Sequence, residues 1–132
     1  DPECQTLLMN LKSDLLEIIL ATTQNKLKNK KIYNYKKSIV SVVLASNGYP
    51  GIYKKNILIQ NLEKIKETKD LKIFHAGTIK KQNQFYTSGG RVLSITVSGK
   101  DIKASRKRAY YVLKKLNWQG GFFRKDIGIK NY

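Results

Sequence analysis

Three short stretches of the chain carry residue types at a spacing that suits phosphate chemistry. Thr87-Ser88-Gly89-Gly90-Arg91 offers two hydroxyls, two residues able to take positive φ, and a guanidinium that can hold two oxygens at once. Its structural alternative is a hairpin connector. His75-Ala76-Gly77-Thr78 ends an extended run with a turn whose N–H groups and hydroxyl would face an anion, or else forms an ordinary tight turn. Phe122-Phe123-Arg124-Lys125-Asp126-Ile127-Gly128 places charges directly behind two aromatic rings. It reads either as charge presented at a site or as an Arg124-Asp126 pair bracing core phenylalanines.

Other chemistries find no support. There is no G-x-x-x-x-G-K-[ST], since Ser98-Gly99-Lys100-Asp101 ends in Asp, and no G-x-G-x-x-G or G-x-S-x-G. His75 is the only histidine, with no second titratable group beside it, and reads as structural. Cys4 has no basic neighbour to lower its pKa, cannot form an internal disulfide, and reads as inert. A structural metal is therefore not expected. Apolar runs such as Leu15 to Ala21 fall short of the ~20 residues that a bilayer requires. With neither signal peptide nor disulfide framework, the expected compartment is the cytoplasm.

The chain has 132 residues, with 26 Lys+Arg against 9 Asp+Glu and a net charge of +17. Only Arg91, Arg106, Arg108 and Arg124 are arginine, and the lysines are scattered over every segment. That pattern fits a compositional drift toward Lys, Asn and Ile. The alternative is a dedicated polyanion- or RNA-binding module, whose binding would persist at moderate salt with a steep salt slope.

The elements that must position these stretches follow from periodicity. Leu7, Leu8, Leu11, Leu15, Leu16, Ile19 and Leu20 recur at helical steps within Glu3 to Gln24, with Ser13-Asp14 suited to cap a restart. Asn25 to Lys37 reads as a linker. Ser38 to Ala45 is β-branched and reads as a strand buried on both faces or set in a barrel wall. Further extended segments are expected at 56–59, 71–75, 84–87, 91–97 and 122–127, with a short helix within 61–68. Ser88-Gly89-Gly90 would join the strand at 84–87 to its partner at 91–97. Ser98 to Asp101 reads as a capping box opening a helix over Asp101 to Leu116. The fold class is α+β, mostly antiparallel, with one long helix.

Taken in order, D-P-E-C-Q (1–5), L-K-S-D-L-L (11–16), S-V-V-L-A-S-N-G-Y-P-G (41–51), F-H-A-G-T (74–78), S-G-G-R-V-L (88–93), R-A-Y (108–110) and F-F-R-K-D-I-G (122–128) resemble the C-terminal part of the phosphoribosylamine-glycine ligase family, also called glycinamide ribonucleotide synthetases. The resemblance runs over the whole chain except the linker. It implies an ATP-grasp ligase of purine biosynthesis that joins glycine to phosphoribosylamine through a glycyl phosphate, using ATP and Mg²⁺. Residues 1–34 would be the helical tail of the ATP-grasp domain plus linker, and 35–132 a small β-barrel-like C-terminal domain of the hybrid-motif type. Of the family signature R-F-G-D-P-E only Asp1, Pro2 and Glu3 are present. The metal-binding Glu and Asn, and the nucleotide-binding body, would lie upstream. This chain by itself would hold neither ATP nor metal and would be inactive.

By the same resemblance, Glu3 would sit near the metal and glycine end as a catalytic residue. Gly77, Thr78, Gly89, Gly90, Arg91 and Arg124 would contribute to the phosphoribosylamine pocket. Lys125 stands where the family often has Arg, which keeps the charge without the bidentate geometry. The implied partners are the small-molecule substrates and the rest of the same enzyme, with no specific nucleic acid and no membrane.

Overall fold

The computed structural model describes residues 2–129. Helix α1 spans Glu3–Asn10 and helix α2 spans Leu15–Thr23. The expected single helical stripe is broken at Leu11 to Asp14, where Asp14 accepts the Glu17 amide at 3.0 Å and restarts the helix. The linker is mostly irregular, with a 3-10 turn at Leu27–Asn29. Strand β1 (Ser38–Ser46) leads to a long irregular excursion over residues 47–70, in which the expected helix shrinks to a 3-10 turn at Leu62–Lys64. The extended piece at 56–59 is held by hydrogen bonds to residues 85 and 87 without forming a strand.

Strands β2 (Leu71–His75), β3 (Thr78–Lys81), β4 (Gln84–Thr87) and β5 (Arg91–Gly99) follow. Helix α3 covers Ile102–Leu116, and β6 is the two-residue strand Gly121–Phe122. Asp101 is itself the N-cap of α3, accepting the Ala104 amide at 2.7 Å, so the capping residue is not Ser98. Asn117 closes the helix in the left-handed conformation at φ 44°.

The main sheet is antiparallel in the order β2-β5-β1-β6, and β3 with β4 forms a separate ribbon. The α+β class holds. The barrel wall does not: among the described residues the four-stranded sheet is open, because β4 pairs with β3 and leaves β2 an edge. The turn at 88–90 is accordingly no hairpin connector. It carries the chain from the ribbon into the centre of the main sheet.

Along β5 the side chains alternate between two kinds of burial. Leu93, Ile95 and Val97 join β1's Val40, Val42 and Leu44 and α3's Ala109, Val112, Leu113 and Leu116 in one apolar core. Ser94, Thr96 and Ser98 are equally buried but meet polar partners: Gln5 on α1 through a short hydrogen bond, Ser41 at 2.7 Å and Asp70 at 2.7 Å. A strand whose two faces are covered by different chemistry satisfies its hydroxyls without breaking the core.

Asp70 ties this layer to the linker. Its carboxylate receives Lys37 at 2.6 Å and the Ser98 hydroxyl, which hold its pKa below the ordinary 3.8. A carboxylate lowered in the folded state adds stability that is complete above its unfolded value and disappears as pH falls through its folded one. Asp70→Asn should therefore lower stability at pH 7 by about 1 kcal/mol, the pair being partly solvent-screened, and should flatten the loss of stability below pH 3.8. Denaturant midpoints measured at pH 7 and along the acid limb check both effects.

The two N-terminal helices are bare by comparison. Nothing in α1 is fully buried and α2 buries only Ala21, while Leu7 and Leu16 are 69% and 64% exposed. Amides of α2 should consequently exchange with solvent much faster than those of α3 in a monomer, as measured by hydrogen exchange. Equal protection of the two helices would contradict this reading.

Candidate functional site

The turns at 75–78 and 87–91 lie against each other, backbone on backbone. The Gly77 amide donates to the Arg91 carbonyl at 2.9 Å, and the Gly77 carbonyl accepts the amides of Ser88 (2.8 Å) and Gly89 (3.3 Å). Ala76 donates to the Val92 carbonyl at 3.0 Å. A Cβ on Gly77 would stand 2.6 Å from both the Arg91 carbonyl oxygen and the Gly89 Cα, so only glycine permits this approach. Ser46, at the end of β1, clamps the far side, its hydroxyl donating to the Gly89 carbonyl at 2.9 Å and its amide to that of Gly90 at 2.8 Å.

This corrects the expected role of the turn amides. Those of Ala76, Gly77, Ser88 and Gly89 are all taken by main-chain carbonyls and do not face an anion. The Thr87 hydroxyl is also occupied: Thr87 is fully buried, and its Oγ1 accepts the Ile57 amide at 3.1 Å. The side chains left at the outside of the cluster are Thr78, whose hydroxyl is shared with His75, and Arg91, which is exposed. Between Leu44 and Ala45 the β1–β5 register slips so that Ala45 faces Arg91, which places one extra residue, Val92, in β5. Such a bulge re-aims the side chains beside it, here Arg91, which is exposed at the head of the strand.

Two tyrosines from the segment after β1 complete the surroundings. The Tyr49 ring lies over Gly90 so closely that a Cβ there would come within 2.2 Å of it, and Tyr53 packs beside it with ring centroids 6.2 Å apart. Tyr49-Pro50-Gly51 announces a turn. Its return onto Gly90 is a long-range event with no local signal.

His75 stacks on Phe85 at 4.6 Å, and its Nδ1 lies 2.8 Å from the Thr78 hydroxyl. Although His75 is exposed, partial burial of its ring holds its pKa below 6.5. The fold thus prefers neutral imidazole, and the stability this contributes is complete above 6.5 and lost as pH falls below it. His75→Gln should remove a decline in melting temperature between pH 7 and 5 that the parent chain shows.

Arg124 and Glu3 are held by other elements. Arg124 pairs with Asp126, Nε to Oδ1 at 2.9 Å with a second, shorter bond beside it, and its carbonyl accepts the Tyr110 hydroxyl at 2.7 Å. That is the bracing arrangement for Phe123, packed 6.0 Å from Tyr110, whereas Phe122 is exposed and not part of the core. Glu3 is exposed on the first turn of α1. Among the described residues no three His, Cys, Asp or Glu side chains gather where they could hold a metal ion. No helix among them is long and apolar enough to cross a membrane.

An open antiparallel sheet under one long helix, with two glycine turns locked at its edge, defines a small α+β domain built to hold a rigid loop cluster. The chain belongs to the phosphoribosylglycinamide synthetase C-domain family, whose model matches residues 39–130. It is 46% identical over 130 residues to the chloroplastic phosphoribosylamine-glycine ligase of Arabidopsis thaliana, covering 97% of this chain and 24% of that protein. Identity to the phosphoribosylamine-glycine ligase of Caldanaerobacter subterraneus is also 46%, over 96% of this chain and 30% of that protein. A crystal structure of phosphoribosylamine-glycine ligase from Thermotoga maritima superposes with a TM-score of 0.59 at 27% identity, over 82% of this chain and 27% of that one. The chain therefore spans 24 to 30% of the length of these relatives. None of them is named as a nucleic-acid-binding protein, and the RNA-module alternative gains no support from them.

Proposed function

We propose that this chain is the C-terminal part of an ATP-dependent ligase that joins glycine to 5-phosphoribosylamine, forming glycinamide ribonucleotide, in the cytoplasm. In this reading residues 1–34 are the tail of the ATP-grasp body, and residues 35–132 form a hybrid-type domain that closes over the substrate. The observation that carries the reading is the Gly77–Gly89 contact. It fuses two turns into one rigid edge and fixes where Arg91 begins β5. From that edge the guanidinium would take two oxygens of the substrate phosphate, and Thr78 would add a hydroxyl.

Gly77, Gly89 and Gly90 then serve by close packing and need not touch the ligand. Arg124 would act mainly through the brace on α3. Glu3 would reach the glycine end only when the ATP-grasp body is in place, and the bare leucines of α1 and α2 are the surface that would receive that body. ATP and Mg²⁺ belong to the body, where they supply the activating phosphoryl transfer.

Phosphate release with ATP, Mg²⁺, glycine and phosphoribosylamine tests the division of labour. The 132-residue chain is expected to show none by itself and to contribute activity when joined to the body. Turnover by the chain alone near the ~10 s⁻¹ typical of enzymes would overturn it.

A further inference from the structure

A second concave surface shares no residue with the edge just described. It lies between α3 and the irregular segment 61–71, encloses about 780 Å³, and is floored by Ile65, Leu71 and Val112. Lys64, Lys66, Arg108 and Lys115 line it, with no carboxylate among the lining residues. None of these four cations is in an ion pair with a described carboxylate, although the described chain forms such pairs elsewhere through Lys30, Lys37, Lys72 and Arg124. Tyr111 stands on the same wall, 57% exposed, with the Lys115 ammonium 4.8 Å from its ring centroid.

Lysine is abundant everywhere in this chain, so lysines alone would mean little; Arg108 is the informative residue. Of the four arginines, Arg106 spends its guanidinium on the carbonyls of Lys125 and Ile127, and Arg124 on Asp126. Arg91 heads the other edge. Among the described residues Arg108 makes only a long 3.4 Å bond, to the Thr68 hydroxyl, which leaves its planar fork at the groove. Cations gathered around one groove without a lining carboxylate repel one another and the folded state gains nothing from that repulsion. An anion seated among them reverses that sign.

We propose that this groove binds a nucleotide-type anion, a phosphorylated compound carrying a planar ring. Arg108 takes the phosphate within a groove also lined by Lys64, Lys66 and Lys115; the Tyr111 ring and the aliphatic floor take the heterocycle by stacking and apolar contact. The volume is that of a small-molecule site. A bare inorganic anion would use the cations and leave the apolar floor and Tyr111 idle. The proposal does not depend on the ligase reading, since its site and its residues are separate.

The test uses the 132-residue chain labelled with ¹⁵N and titrated with AMP or inorganic phosphate at about 0.1 M salt. AMP is expected to shift amides of 61–71 and 108–117 saturably, and to bind about tenfold or more tightly than phosphate. Arg108→Gln should weaken both probes about tenfold, whereas Tyr111→Leu should weaken AMP and leave phosphate unchanged. Both side chains are exposed, and the spectra report directly whether each variant is folded. The proposal is overturned if AMP gives no saturable shift by about 10 mM, if the two probes bind equally, or if neither substitution changes AMP binding. It is likewise overturned if a short single-stranded oligonucleotide binds more tightly per phosphate with shifts running the length of α3, which would make the face a nucleic-acid surface.

Discussion

Gly77→Ala is expected to destabilise the domain by about 3 kcal/mol, roughly 10 °C in melting temperature for a chain of this size. The added methyl would have to occupy space 2.6 Å from the Arg91 carbonyl oxygen and from the Gly89 Cα, and 2.7 Å from the Gly89 nitrogen. All three are backbone atoms, so no rotamer change relieves the clash. The turns must separate, and with them go the bonds from Gly77 to Arg91, Ser88 and Gly89. Gly51→Ala is the control: its new Cβ would approach only the Gly48 carbonyl, at 3.2 Å on an exposed loop, and should cost well under 1 kcal/mol. Thermal unfolding of the three proteins checks this. A Gly77→Ala chain that melts with the parent would mean that the two turns are not held by close approach, and would remove the rigid edge on which the proposed substrate contact rests.

In the full-length ligase proposed above, Arg91→Lys is expected to reduce kcat/KM for phosphoribosylamine by about 1 to 3 kcal/mol while leaving the KM for ATP nearly unchanged. Lysine keeps the charge at the head of β5, but a single ammonium cannot hold two phosphate oxygens in one plane. The bulge at Val92, opposite Leu44 and Ala45, sets the direction of the side chain, so a substrate contact would be lost by geometry. If Arg91 only braced the domain, the substitution would lower the melting temperature and leave the kinetics of the folded enzyme close to the parent's. Asp126 is not the carboxylate that would be exposed by this change, because it is already paired with Arg124.

Several elements could be read directly from the chain. The β-branched run at 38–45 and the alternation at 91–97 became the two central strands, and the 3.6-residue stripe of Ala109, Val112, Leu113 and Leu116 became the buried side of α3. Ser13-Asp14 did mark a helix restart, and the ordered series of short motifs was enough to reach the family. These are signals of local period or of residue order, and neither requires knowledge of what lies across the fold. Tertiary structure decided the rest, for one physical reason: a backbone group can be counted as available only after its long-range partner is known. The turn at 75–78 looked like a cradle of amides until the turn at 87–91 packed against it and took them. The hydroxyl of Thr87 looked like a ligand group until Ile57 claimed it, and β3 went unrecognised because its four residues acquire strand character only by pairing with β4. Tyr49 reached Gly90 across some forty residues. Which glycines, hydroxyls and cations the sequence contains was evident from the start; which of them still face outward was settled only by the packing of one turn upon another.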